Sequence, residues 1–227
     1  MKLLALDTST DACSAALFID GDIRERFEIA PREHTHLIMR MIDELMQQAD
    51  LRPQQLDAIA LSRGPGSFTG VRIATGVAHG IAFAAGLPVA MVSTLAAMAQ
   101  DFFNHSTADL AFTALDARMD EVFWGVYRRS ELGLAELVGD EAVAPASQVI
   151  HPDLPGHGIG SGWAAQHDAL RERLGHCLQG SDTNIWPKAS CVAQLGAYAH
   201  ANGLTVTAEQ AQPVYLRDKV AKKPGER

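Results

Sequence analysis

Cysteine is scarce in this chain: Cys13, Cys177 and Cys191 are three in number and far apart. That excludes a disulfide framework and leaves no CxxC pair for a metal. Positive charge is also short, with 19 Lys and Arg against 27 Asp and Glu and a net charge of −8. Such a balance opposes unaided binding to nucleic acid, whose phosphates require a cationic face, and favours protein or small-molecule partners. A clean membrane-length run is missing too. The most apolar window, residues 71–92, contains Arg72, His79, several glycines and Pro88 and fits a buried helix followed by a strand. The start, Met1-Lys2-Leu3-Leu4-Ala5-Leu6-Asp7, meets a charge too early for a signal peptide, so the expected location is cytoplasmic. Short repeats are absent. What is present is ordinary globular composition, 227 residues with 47% hydrophobic and 20% charged, enough for one large domain or two small lobes.

The first half divides readily into strands and helices. Residues 3–6 form an apolar strand ending at Asp7-Thr8-Ser9-Thr10, and residues 13–19 form a second. Asp20-Gly21-Asp22 turns the chain into a third strand over 23–29. Leu37, Ile38, Met41, Ile42, Leu45 and Met46 then recur at helical spacing over 33–48. A strand at 58–61, a helix at 71–85, a strand at 89–92 and a helix from Ser93-Thr94 to about Phe103 complete a β-β-β-α-β-α-β-α order. The second half starts alike, with strands at 111–115, 121–127 and around 135–143, and then departs. Residues 145–155 read as loop and 156–162 as a glycine-rich turn. Helices are expected over 163–174 and 190–201, with Gly203 ending the second.

One stretch stands out. Gly64-Pro65-Gly66-Ser67-Phe68-Thr69-Gly70 lies between the strand at 58–61 and the helix at 71–85. Ser67 and Thr69 can cap the helix, and Gly64, Gly66 and Gly70 permit close backbone approach. Two readings follow from the residues alone: a tight turn with an N-cap, or a cradle of N–H groups for an anion. The spacing is not that of a P-loop, since Val71-Arg72 stands where Lys-Ser/Thr is needed.

The stretch from Gly64 to Ile73 resembles the signature of the bacterial TsaB (YeaZ) family. Leu6-Asp7-Thr8-Ser9, Leu115-Asp116-Ala117-Arg118 and Pro213-Val214-Tyr215-Leu216-Arg217 resemble the same family in the same order. The likeness runs from residue 1 to about residue 217. It implies an α/β fold of the actin-like ATPase superfamily (ASKHA), two ribonuclease-H-like lobes with the second abbreviated. The lobes are expected at 1–104 and 105–217, with a flexible tail at 218–227. It also implies a role in making N6-threonylcarbamoyladenosine at position 37 of tRNA. There the chain is a non-catalytic subunit that pairs with itself when alone, binds the transferase TsaD, works with the ATPase TsaE, and meets tRNA through the complex.

In that superfamily a carboxylate from each lobe faces a nucleotide and its metal, which points to Asp7, with Thr8 and Ser9, and to Asp116. With Gly64, Gly66, Ser67, Thr69 and Gly70 these are the candidate phosphate-facing residues. The plainer reading is that both carboxylates cap strand ends. Asp116-Ala117-Arg118-Met119 also carries a side chain where the superfamily's second phosphate loop has glycines. That departure speaks against an independent ATPase or small-molecule kinase, which stands as the rival reading.

No two of the nine histidines lie three to five positions apart, so the helical His pair that binds metal in TsaD has no counterpart, and no metal is expected. Gly-x-Ser-x-Gly is absent around Ser67, and Cys13 and Cys191 sit in apolar runs, so no catalytic residue is expected. The protease label once given to such proteins finds no support. The resemblance implies no cofactor of the chain's own, with ATP or ADP placed only at a subunit junction. It puts the partner surface on the two N-terminal helices. His36, Met39, Arg40 and Asp43 are expected to contribute from the first, and Val71, Ala74, Thr75 and Ala78 from the second.

Overall fold

The computed structural model describes residues 1–217; the tail expected at 218–227 lies outside them. Strands β1 (Lys2–Asp7), β2 (Ala12–Ile19) and β3 (Asp22–Ile29) form the antiparallel meander read from the sequence. Helix α1 (His34–Gln48) follows. Then come β4 (Ala58–Ser62), α2 (Phe68–Ala85), β5 (Val89–Val92) and α3 (Thr94–His105). The order across this first sheet is β5-β4-β1-β2-β3, with β4 and β5 parallel to β1.

The second sheet is built from β6 (Leu110–Arg118), β7 (Glu121–Arg129), β8 (Ala135–Leu137), β9 (Ala142–Pro145), β10 (Gly156–Ile159) and β11 (Leu178–Asp182). Its order is β11-β10-β6-β7-β8, with β9 also on β7. Set beside β5-β4-β1-β2-β3, this is the same strand order built twice. The fold is the duplicated, actin-like α/β architecture with a reduced second copy.

Period-two alternation assigns the faces of the first sheet. Leu4, Leu6, Leu17, Ile59 and Leu61 face α1 and α2, while Leu3, Ala5, Ala16, Ala58 and Ala60 face the other way. That second face is mostly alanine, which lets helix α6 (Ala189–Ala201) lie close to it. A Cβ on Gly196 would come within 2.5 Å of Ala60 Cβ. Strand β12 (Thr205–Val206) then adds to the edge of the same sheet. The chain thus returns to the first sheet from residue 189 onward, so the expected boundary of 105–217 does not follow the sheets. Helix α3 makes the reciprocal move, packing Leu95, Met98, Ala99 and Phe103 against Ala111, Leu115, Tyr127 and Ile159 of the second sheet.

The second half departs from expectation in places. Residues 156–162 are not a turn: β10 sits inside the sheet between β6 and β11. Glycine is a poor strand former, but Gly158 is needed here because a Cβ would overlap the ring of the fully buried Trp163. The single helix expected over 163–174 is two, α4 (Ser161–Ala165) and α5 (His167–Leu174). The strand expected around 135–143 is likewise two, β8 and β9, and β11 was not expected at all. Helix α2 begins three residues earlier than expected, and α2 alone among the described residues is long and apolar enough to cross a membrane. Its inner side is wedged against the first sheet through Ala74, Ala78 and Ala82.

The packing at Gly158 sets a direct test. Gly158→Ala is expected to lower unfolding stability by about 1–3 kcal/mol through overpacking against Trp163, read as a lower urea midpoint with an unchanged slope.

Candidate functional site

The glycine loop and the end of β1 are joined backbone to backbone. Ser67 N–H donates to the Ser9 carbonyl at 2.7 Å. The Thr8 hydroxyl donates to the Gly70 carbonyl at 2.6 Å and accepts from Ala74 N–H at 3.1 Å. A Cβ at Gly66 would overlap the Ser9 carbonyl and one at Gly70 the Thr8 carbonyl, which is why these positions are glycine. Ser67 is the N-cap of α2, its hydroxyl accepting from Gly70 N–H at 3.3 Å. Thr69 lies inside the first turn and is exposed. The N–H groups of Ser67 and Gly70, expected to form a cradle, therefore have partners within the chain.

Asp7, Thr8 and Ser9 are fully buried. Asp7 accepts from Ser9 N–H at 3.1 Å and from the Ser9 hydroxyl at 3.1 and 3.0 Å. Burial raises its carboxyl above the ordinary value of 3.8, against the opposing pull of Ser62, Ser9 and His34. Ser62 Oγ is near enough to resist that rise, yet it makes no hydrogen bond of proper geometry. Asp116, on the second sheet, is tied up locally. It accepts from Arg118 N–H at 2.8 Å and pairs with the Arg118 guanidinium at 2.9 Å. Arg118, Met119 and Asp120 all hold positive φ, 64, 57 and 59°, in the hairpin between β6 and β7. The glycine-free second loop thus places a mostly exposed arginine (85% of its side chain) beside the carboxylate.

Two features around the loop carried little sequence signal. Glu141, between β8 and β9, keeps its side chain largely covered (6% exposed) and reaches across to the first lobe. It accepts from the Tyr127 hydroxyl at 2.5 Å and from the Ser93 hydroxyl, and it pairs with Arg63 at 3.5 Å. Residues 213–217 pass over the loop as a strap. Val214 N–H donates to the Arg63 carbonyl at 2.9 Å, Arg217 pairs with Glu121, and Arg72 Nε donates to the Tyr215 hydroxyl at 2.9 Å. The Arg72 guanidinium also covers the Phe68 ring at 3.6 Å. Only the Pro213–Arg217 motif hinted at this arrangement.

Comparison with known proteins fits this geometry. A family model described as TsaD, tRNA N6-adenosine threonylcarbamoyltransferase, matches residues 27–224. The tRNA threonylcarbamoyladenosine biosynthesis protein TsaB of Escherichia coli (strain K12) is 40% identical over 99% of both chains. The protein of the same name from Haemophilus influenzae is 39% identical over 99% of this chain and 98% of its own. A solved structure of YeaZ from Pseudomonas aeruginosa superposes with a TM-score of 0.88 at 43% identity, covering 95% of this chain and 99% of that one. The chain belongs to the TsaB (YeaZ) family.

The helices expected to carry a TsaB partner surface divide unevenly. His36, Met39, Arg40 and Asp43 are all exposed on α1, whereas Met41 and Met46 turn inward. Val71, Ala74, Thr75 and Ala78 on α2 are buried within the chain, Thr75 bonding back to the Val71 carbonyl at 2.8 Å. The expectation for these four is corrected: they form the inner side of the helix. The alanine and glycine content of α2 concealed which side faced the sheet. Its outer side is Thr69, Arg72, Gly76, Gly80, Phe83 and Ala84, with Phe83 75% exposed. The spacing of Gly76, Gly80 and Phe83 was the available signal. Cys13 and Cys191 are core residues as expected, and burial pushes the Cys13 thiol up to about 12.

The buried Asp7 yields a pH prediction. A carboxyl raised by burial favours the folded state below its unfolded value of 3.8, and that contribution is lost as the pH rises through the folded value. Asp7→Asn removes the charge and offers an N–H to the unpartnered Ser62 hydroxyl. Its urea midpoint at pH 7 should exceed that of the parent chain, and the advantage should shrink as the pH falls toward 4. An equal advantage at both pH values would show that Asp7 does not titrate on unfolding.

Thr8 supports a second prediction. Thr8→Val keeps the shape but leaves Ala74 N–H and the Gly70 carbonyl without their partner, at a cost of about 2 kcal/mol, again read from the urea midpoint.

Proposed function

We propose that this chain is a non-catalytic scaffold and dimerisation subunit in the formation of N6-threonylcarbamoyladenosine at position 37 of tRNA. It binds and activates a TsaD transferase, works with TsaE, reaches tRNA through the complex, and forms a homodimer when alone. The family supports the pathway, and the net charge of −8 supports contact with tRNA through partners. One observation supports the non-catalytic assignment: several of the groups that would hold a nucleotide phosphate are engaged inside the chain. Asp7 is buried beneath Ser9, the Ser67 and Gly70 N–H groups are bonded, and Asp116 is paired with Arg118. The chain brings no cofactor of its own to this role; ATP or ADP would be held at a junction with a partner, and the complex works in the cytoplasm.

The partner surface in this reading is the outer side of α1 and α2. Met39, Phe68 and Phe83 are exposed there beside Gly76 and Gly80. A Cβ at Gly76 or Gly80 would meet no atom within 4 Å. Two glycines in an exposed helix interior cost about 1 kcal/mol each relative to alanine, with no return inside the isolated chain. They permit another helix to approach closely, and the flanking apolar side chains would be covered by it.

Size-exclusion chromatography with light scattering, on the chain alone and mixed with TsaD and TsaE of the same cell, is the decisive measurement. The parent chain should be a homodimer that exchanges into a mixed complex. Gly80→Arg should keep or raise the thermal midpoint of the isolated chain and abolish both associations. A parent chain that remains a monomer and ignores TsaD would overturn the scaffold reading. ATP turnover by the isolated chain, lost in Asp7→Ala, would instead establish the kinase or ATPase alternative.

A further inference from the structure

Away from the glycine loop, two connections of the second lobe bring three unlike donor groups together. Asp153 lies in the segment between β9 and β10, and His176 and Cys177 lie in the 3-10 turn Gly175–Cys177 between α5 and β11. Cys177 Sγ is 3.3 Å from Asp153 Oδ1, His176 Nε2 is 3.0 Å from the same oxygen, and the sulfur and nitrogen are 3.9 Å apart. Cys177 is buried, at 1% exposure, while the side chains of Asp153 and His176 are 82% and 85% exposed. The triangle therefore has a closed floor at the sulfur and an open rim.

Bond lengths to zinc of about 2.3 Å from sulfur and about 2.0 Å from nitrogen and oxygen fix the edges of a tetrahedral site. The oxygen–nitrogen edge is about 3.3 Å, and the oxygen–sulfur and nitrogen–sulfur edges are both about 3.5 Å. Each observed edge lies within about 0.4 Å of that figure. From these distances we infer that Asp153, His176 and Cys177 form a site for a divalent zinc-class ion, with a fourth position open to water. Thiolate and imidazole are borderline-to-soft donors that suit zinc and its neighbours, whereas magnesium and calcium prefer all-oxygen sites.

The backbone around the triangle is already fixed. Arg173 Nε donates to the Val149 carbonyl at 2.9 Å, fastening the Asp153 segment to α5, and Val149 is buried. Gly175, at φ +53°, opens the turn that follows α5. Binding exchanges the Cys177 thiol proton for the metal, and that proton leaves to solvent. The ion would clamp two connections that now touch through single hydrogen bonds.

The test uses the full chain, reduced and stripped of metal with a chelator. Cobalt(II) is titrated and the sulfur-to-cobalt charge-transfer absorption followed, with zinc(II) then added as competitor. The expected result is one cobalt per chain, the band displaced by zinc, and a thermal midpoint raised by zinc. Cys177→Ser should remove the band. His176→Ala, at an exposed position that leaves the core intact, should weaken cobalt binding at least about tenfold. A Cys13→Ser, Cys191→Ser double variant should retain the band. Failure of the reduced parent chain to develop the band, or its persistence in Cys177→Ser, would overturn the site. None of these readouts depends on TsaD or TsaE, so failure here leaves the scaffold reading untouched.

Discussion

The near contact of two backbones, at the end of β1 and at the glycine loop, is the constraint on which the first lobe depends. Ser9 and Thr8 present carbonyls where Gly66 and Gly70 have no side chain, and the Thr8 hydroxyl joins the first turn of α2 to the strand. Helix α2 is thereby placed to cover Leu4, Leu6 and Leu61 with its alanines. Everything outward of it, including the Gly76, Gly80 and Phe83 side, inherits that position. A signature that suggests a phosphate loop thus serves here as a joint between strand and helix.

The same joint engages groups that the sequence resemblance placed beside a phosphate. In an open phosphate site the carboxylate and the loop N–H groups stay available to solvent. Here Asp7 is buried among Ser9, Ser62 and His34, with its charged form disfavoured. In the matching loop of the second lobe Asp116 is paired with the mostly exposed Arg118. Glu141 then spans from the second sheet to Arg63 and Ser93 at the loop's base, so the two lobes share a charged contact there.

Much of the fold was legible in the residues. Apolar runs at 3–6 and 13–19, the imperfect alternation at 23–29 and the helical spacing of α1 placed those elements to within a residue or two. The second half was read less well because its strands break the local rules. β10 is half glycine so that Trp163 and Phe112 can pack on it, and β11, Leu-Gln-Gly-Ser-Asp, has almost no apolar pattern. In both, tertiary packing overrides propensity. The inner and outer sides of α2 were not separable, since alanine and glycine occur on both and only the fold says which is covered. The Asp153, His176 and Cys177 cluster was out of reach for another reason: its carboxylate and thiol stand 24 positions apart, beyond any spacing rule.

The exchange of helices between lobes has a consequence for biogenesis. Helix α6, which seals the alanine face of the first sheet, is not made until the whole second sheet has been synthesised. A nascent chain carrying β1 to β5 therefore exposes Leu3, Ala5, Ala58 and Ala60 until residues 189–201 leave the ribosome. The lobe translated first is completed last, in spite of the repeated architecture.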